Sequence, residues 1–252
     1  MKPKRVEVLG VPVDCVTMEQ AIAWTETLMA ARTPQTVVAV NPEKVMKAGQ
    51  DEQLLQHLRG AGLLIPDGIG VVLAVRLFQQ GVLQRVPGSE LMPNLCQLAA
   101  TKGYKVFLFG ASPEVVPRTA EVLQQRFPGL KIVGAQHGYV KDDEMPAVIS
   151  AINVAQPDFL FIALGSPKQE LWMARYLPEL KVKVCQGVGG TFDVIAGKVK
   201  RAPVVFRAVH LEWLYRLLLQ PSRIFRQTAL PLFAYHVLKS RFTDRSAKLA
   251  ER

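Results

Sequence analysis

One aspartate is placed to do chemistry: Asp67 sits between a proline and a glycine in Ile65-Pro66-Asp67-Gly68-Ile69-Gly70. Proline restricts φ and glycine allows a sharp turn, so this backbone aims a single carboxylate in one direction. A carboxylate so placed serves either as a general base, taking a proton from a hydroxyl, or as the acceptor of an Asx turn. Three further glycine turns are candidates for anion binding: Gly110-Ala111-Ser112-Pro113, Gly165-Ser166-Pro167-Lys168-Gln169-Glu170 and Gly187-Val188-Gly189-Gly190-Thr191-Phe192-Asp193. In the first two, glycine makes the turn, serine can cap a helix and proline fits its first turn, leaving N–H groups for a phosphate. The same residues also open ordinary helices. It is their recurrence that points to a nucleotide cleft, and none is a GxGxxG or Walker loop. Asn41 follows the β-branched run 36–40. Arg85, in Arg85-Val86-Pro87-Gly88-Ser89-Glu90, can meet a phosphate, meet Asp67 or lie in solvent.

The elements around these residues alternate. Strands are expected at 6–9, 11–13, 36–40, 63–65, 106–109, 131–133, 159–164 and 182–186. Helices are expected at 17–30 (opened by the capping box Thr17-Met-Glu-Gln20), 43–59 with a weak point at Gly49, 71–80, 89–101, 113–127, 143–154 and 167–177. Continuously apolar strands such as VFLF and FLFIAL suit a sheet covered on both faces, and strand–helix alternation indicates parallel βαβ units. The fold class expected is α/β, a Rossmann-like parallel sheet sandwiched by helices. Ligands of such sheets bind beyond the carboxyl ends of the strands, which is where Asn41, Asp67, Gly110, Gly165, Gly189 and Gly190 fall.

Composition bounds the answer. The chain has 252 residues, 49% hydrophobic and 21% charged, with 18 Gly and 17 Pro, which excludes collagen, coiled coil and disorder. Cys15, Cys96 and Cys185 lie far apart without CxxC, and His57, His137, His210 and His236 show no ligand spacing, so neither disulfides nor a zinc site are expected. No Ser-His-Asp order or paired-carboxylate motif is present. The N-terminal stretch has no apolar run of signal-peptide length, and no stretch approaches 18 uninterrupted apolar residues, so a cytosolic chain without a spanning helix is expected.

The net charge is +10, unevenly placed: residues 198–252 hold twelve Lys/Arg against three Asp/Glu, a net +9, and residues 1–197 hold nineteen against eighteen, a net +1. Residues 204–219 put Val205, Val209, Trp213, Leu214, Leu217 and Leu218 on one helical stripe, with Arg207 and Arg216 mostly off it. A basic end follows, with Lys239, Arg241, Arg245 and Lys248. This suits an amphipathic helix lying on an anionic membrane surface, or a helix packed on its own domain, and both hold if it closes over the cleft. A nucleic-acid tail would not need the apolar stripe. Two parts are expected, a catalytic domain over 1–200 and a basic helical appendage over 201–252.

With IPDGIGVV, RVPGSEL, HGY, ALGSPKQE, GVGGTFDVIAG and RAP…LEWLYRLLLQPSRIFRQ in this order, the chain resembles the WecG/TagA/CpsF glycosyltransferases of bacterial cell-surface polysaccharide synthesis, from about residue 6 to 238. The resemblance implies inverting transfer of an N-acetylmannosamine-like sugar from a UDP donor to a polyprenyl-diphosphate-linked sugar, at the cytoplasmic face of the membrane. It makes Asp67 the catalytic base and Asn41, Arg85 and Gln169 pocket residues. Tyr139 and Asp193 fall near the nucleotide, and Arg216, Arg223 and Arg226 meet the lipid diphosphate or the leaving UDP. The family's frequent Thr two residues before that Asn is here Ala39, which bears on the donor sugar. No DxD motif is present, so no metal or other cofactor is expected; arginines and helix N-termini would neutralise the departing UDP. A homo-oligomer is compatible with all of this. The competing readings are a nucleotide-dependent oxidoreductase, disfavoured without GxGxxG, and a non-enzymatic nucleotide- or lipid-binding membrane protein, which would not need Asp67.

Overall fold

The computed structural model describes residues 2–78, 83–203, 205–206, 212–219 and 228–250. An antiparallel hairpin, β1 (Lys4–Val8) and β2 (Val11–Cys15), precedes a six-stranded sheet of β3 (Gln35–Val40), β4 (Leu63–Pro66), β5 (Lys105–Gly110), β6 (Lys131–Gln136), β7 (Phe159–Ala163) and β8 (Val184–Gly187). The order across the sheet is β4-β3-β8-β7-β5-β6, with every neighbouring pair parallel. The Rossmann-like expectation is met, with helices on both faces.

Period-two alternation along the strands divides the core. Phe107 and Phe109 of β5, Leu160 and Ile162 of β7, and Val38 and Val40 of β3 face one layer, built with α2 (Pro42–Ala48), α3 (Glu52–Gly60), α4 (Ile69–Leu77), α7 (Met145–Ala155) and α8 (Lys168–Tyr176). Val106 and Leu108, Phe159 and Phe161, and Val37 face the other, built with α1 (Met18–Leu28), α5 (Gly88–Lys102), α6 (Val115–Arg126) and α9 (Thr191–Ile195). This is why those strands read as unbroken apolar runs. Cys96 and Cys185 are buried and Cys15 is half-buried, all three as free thiols.

Local signals are met at α1, where the Thr17 hydroxyl accepts from the Gln20 N–H and the Gln20 amide oxygen accepts from the Thr17 N–H. The single helix expected over 43–59 is instead two. Gly49 ends α2, and the Asp51 carboxylate caps the Leu54 N–H at 3.0 Å to start α3, so the weak point is a full break. α6 and α8 begin at Val115 and Lys168, and the residues before them, Glu114 and Pro167, supply no side-chain cap bond; the Ser112 hydroxyl instead accepts from Lys198 Nζ at 3.3 Å.

Beyond the sheet come α10 (Glu212–Leu219) and α11 (Ala229–Ala250). Phe233 and Val237 of α11 are buried in the layer that contains α2 and α4, while Leu232 and Tyr235 are exposed. On α10, Trp213 and Leu218 are exposed, as is Val205 before it, and Val209 lies outside the described residues. No helix among the described residues is long and apolar enough to cross a membrane.

Candidate active site

The ends of β3, β4, β7 and β8 open into one cavity of about 820 Å³. The four strands are consecutive in the sheet, and the cavity lies beyond their carboxyl ends, where open parallel sheets bind ligands. One side of the cavity is polar: Asn41, Asp67, Arg85, Ser166, Gln169 and Asp193 line it. The other is an apolar wall from α4 and α11, with Leu73, Leu77, Leu230, Phe233 and Val237; Trp213 of α10 also lines the cavity.

Asp67 directly follows β4, and its backbone is held from two sides. Its N–H donates to the Val40 carbonyl of β3 at 3.0 Å, and its carbonyl accepts from Arg85 Nε at 2.8 Å. The Val86 N–H in turn donates to the Pro66 carbonyl at 2.8 Å, tying the Arg85 segment along the strand end. The glycines of Pro-Asp-Gly-Ile-Gly serve close approach. A methyl on Gly68 or Gly70 would lie 2.6 or 2.8 Å from the ring of Pro42, so α4 starts against the turn that follows β3. Arg85 therefore does meet Asp67, through its main chain, with Nε occupied there. The Asn41 carboxamide is also engaged: its oxygen accepts from the Lys44 N–H at 2.8 Å and caps α2 while the residue lines the cavity.

Gly165 and Gly189 have positive φ, +78° and +53°, and with Gly190 they line the cavity, their backbones facing open space or, for Gly190, only the Asp193 carboxylate. Gly110 is different. It lies outside the lining, and a side chain there would reach within 2.5 Å of the Ala163 backbone, so its glycine serves the packing of β5 on β7. The ends of β5 and β6 are closed by main-chain bonds, Ala111 N–H to the Ala163 carbonyl and Gly138 N–H to the Ala111 carbonyl, both 2.9 Å. Tyr139 consequently lies outside the cavity lining, 73% exposed on the loop after β6. Near it, Lys198 Nζ donates to the Glu114 carboxylate at 2.7 Å and the Ser112 hydroxyl at 3.3 Å, and that bond pushes the Glu114 carboxyl down to about 2. Arg223 and Arg226 lie outside the described residues, and Arg216 is placed only as a position on α10. Among the described residues, no group of three His, Cys, Asp or Glu is gathered as a metal site.

Beneath the polar side lies a buried ion pair that the spacing did not reveal. Lys44 Nζ is 2.6 Å from Glu170 Oε1, with side chains 3% and 0% exposed. Gln169 Nε2 also donates to that oxygen, and Gln169 Oε1 accepts from the Gly189 N–H, each at 3.0 Å. Burial alone would raise the Glu170 carboxyl, but the Lys44 charge and hydrogen bond, with those of Gln169 and Ser166, prevail and hold it below the usual carboxylate range. His57, in α3, is depressed chiefly by burial and also by Lys44, against the opposing charge of Glu170. Lys44 reads in sequence as one more helix-surface lysine; its partner is 126 residues away.

Cradled backbone amides, a clamped aspartate and an arginine at strand ends can take a nucleotide sugar and draw a proton from an acceptor hydroxyl. The family described as "Glycosyl transferase WecG/TagA/CpsF family" matches residues 6–247. Proteins of Staphylococcus aureus strains NCTC 8325 / PS 47 and MRSA252 are each 37% identical over 246 residues, spanning 97% of this chain and 96% of their own length. Both are named N-acetylglucosaminyldiphosphoundecaprenol N-acetyl-beta-D-mannosaminyltransferase. With motif order, fold and a match over nearly the whole length in agreement, the chain belongs to the WecG/TagA/CpsF family of glycosyl transferases.

Proposed function

We propose that this enzyme transfers an N-acetylmannosamine-like sugar from a UDP-sugar to a polyprenyl-diphosphate-linked sugar, with inversion, in cell-surface polysaccharide synthesis. Asp67 takes the proton of the acceptor hydroxyl as that oxygen attacks the anomeric carbon. The bond to the diphosphate breaks on the opposite side, and UDP leaves with the bonding pair. Arg85 and the backbone N–H groups of the Gly165 and Gly189 turns neutralise the departing charge, and Asn41 and Asp193 shape the donor's place. Ala39 lines the same cavity without a hydroxyl, leaving the donor sugar one contact poorer than a Thr would. The observation that carries the reading is the clamped Asp67 lining a cavity whose other wall is apolar, polar chemistry beside a surface that suits a lipid-linked substrate.

The S. aureus relatives' name supports the acceptor class. The exposed apolar residues Leu218, Leu232 and Tyr235, together with the +9 of residues 198–252, support docking of the 201–252 appendage on an anionic membrane surface at the cytoplasmic face. Arg216, Arg223 and Arg226 would meet the lipid diphosphate there. The test is UDP release with a polyprenyl-diphosphate-linked N-acetylglucosamine acceptor, across a set of UDP-sugars, for wild type and Asp67→Asn. Loss of a general base predicts a fall of about 10²- to 10⁴-fold. Turnover by Asp67→Asn at the wild-type rate would show that Asp67 is not the base.

A further inference from the structure

Glu170 is fully buried, does not itself line the cavity, and touches three residues that do: Lys44, Ser166 and Gln169. These contacts form a continuous chain across the crevice between neighbouring strands. Asn41, at the end of β3, caps the helix turn that holds Lys44; Lys44 pairs with Glu170; Glu170 accepts from Gln169; and Gln169 accepts from Gly189, just past the end of β8. The Gln169 side chain lies against the strand end, for a methyl on Gly187 would be 2.5 Å from its Nε2.

An amide has one donating end and one accepting end, whereas an ionised carboxylate only accepts. Glu170 therefore selects the orientation in which Nε2 faces it and Oε1 faces the Gly189 N–H. Reversed, the amide would set a donor against a donor and release the turn. We propose that Glu170 is a positioning residue of the transfer site: it orients Gln169 so that the Gly189 turn keeps the shape that receives the leaving diphosphate. The assignment rests on the function proposed above.

Removing one partner alone would bury an unpaired charge, so the decisive variant removes both, Lys44→Met with Glu170→Leu, which keeps volume without charge or acceptor. Hydrogen exchange of residues 187–191 should quicken about tenfold in this variant. Its kcat/KM for UDP release should fall by up to about 100-fold even though it melts cooperatively. Lys44→Met with Glu170→Gln keeps an oxygen for Gln169 and leaves no charge unpaired, so it should stay within about threefold of wild type on both measures, a rescue that mere loss of packing would not give. Wild-type exchange in Lys44→Met with Glu170→Leu would overturn the proposal, as would Lys44→Met with Glu170→Gln impaired just as deeply. Lys44→Leu with Glu170→Met replaces the first pair if that pair does not fold. If exchange follows expectation while wild type releases no UDP with any donor, the positioning role stands and the proposed function fails.

Discussion

At the scale of single residues, the glycines next to the site divide by what their missing side chain serves. Gly165 and Gly189 face open space at the cavity, whereas Gly110, with φ +120°, packs against the backbone of Ala163. Gly110→Ala should therefore destabilise the fold by at least about 1–3 kcal/mol in urea unfolding, while the folded fraction keeps its affinity for UDP. The titratable residues beneath the site make a second prediction. Glu170 and His57 both have depressed folded values, so each adds stability above its unfolded value that is lost as pH falls toward the folded one. His57 acts below about pH 6.5 and Glu170 below about pH 4.3, the ordinary values of the two groups. The melting temperature should fall from pH 7 to pH 5, and His57→Gln should flatten that segment while leaving the drop below pH 4 in place. An unchanged slope between pH 7 and 5 would remove His57 from this account.

At the scale of elements, α11 is as much core as appendage. Phe233 and Val237 are buried, and the Phe233 ring lies 3.5 Å from where a methyl on Gly70 would be, so the helix completes the apolar wall over α4. Phe233→Ala should cost about 3 kcal/mol of unfolding free energy, from lost transfer energy plus the space left behind. A larger loss of lipid-acceptor turnover than of UDP binding is expected with it, since the wall and not the polar side is disturbed. The break between α2 and α3 depends on a cap. Asp51→Ala should cost about 1 kcal/mol by the same measurement, because the Leu54 N–H loses its acceptor.

Across the whole molecule, charge is unevenly placed: a body of net +1 carries the polar side of the cavity, and the last 55 residues carry +9, part of the cavity's apolar wall, and the exposed Leu232 and Tyr235. Deleting residues 204–252 would uncover the core that Phe233 and Val237 cover, so charge is better tested by substitution. Changing Lys239, Arg241, Arg245 and Lys248 to Gln should strongly reduce sedimentation with anionic liposomes, at about 1 kcal/mol per basic residue near the surface, and leave UDP binding unchanged. Sedimentation equal to wild type would assign the membrane contact to the apolar face alone.

The fold class, the capping box at Thr17, the strand cores and the turn that presents Asp67 were all legible in the sequence. Each depends on signals within one strand or one helical turn: side-chain period, a proline beside a glycine, a cap three residues from its amide. Other features came only with the tertiary structure. It places β3 beside β8, so that the strand ends carrying Asn41, Asp67 and the Gly165 and Gly189 turns share one cavity, while the Gly110 turn is closed off by backbone bonds from β6 and β7. It also buries Lys44 against Glu170 and leaves Tyr139 outside the lining. Strand order is set by which apolar faces can be buried together, and a pairing across 126 residues leaves no mark on the local pattern of either partner.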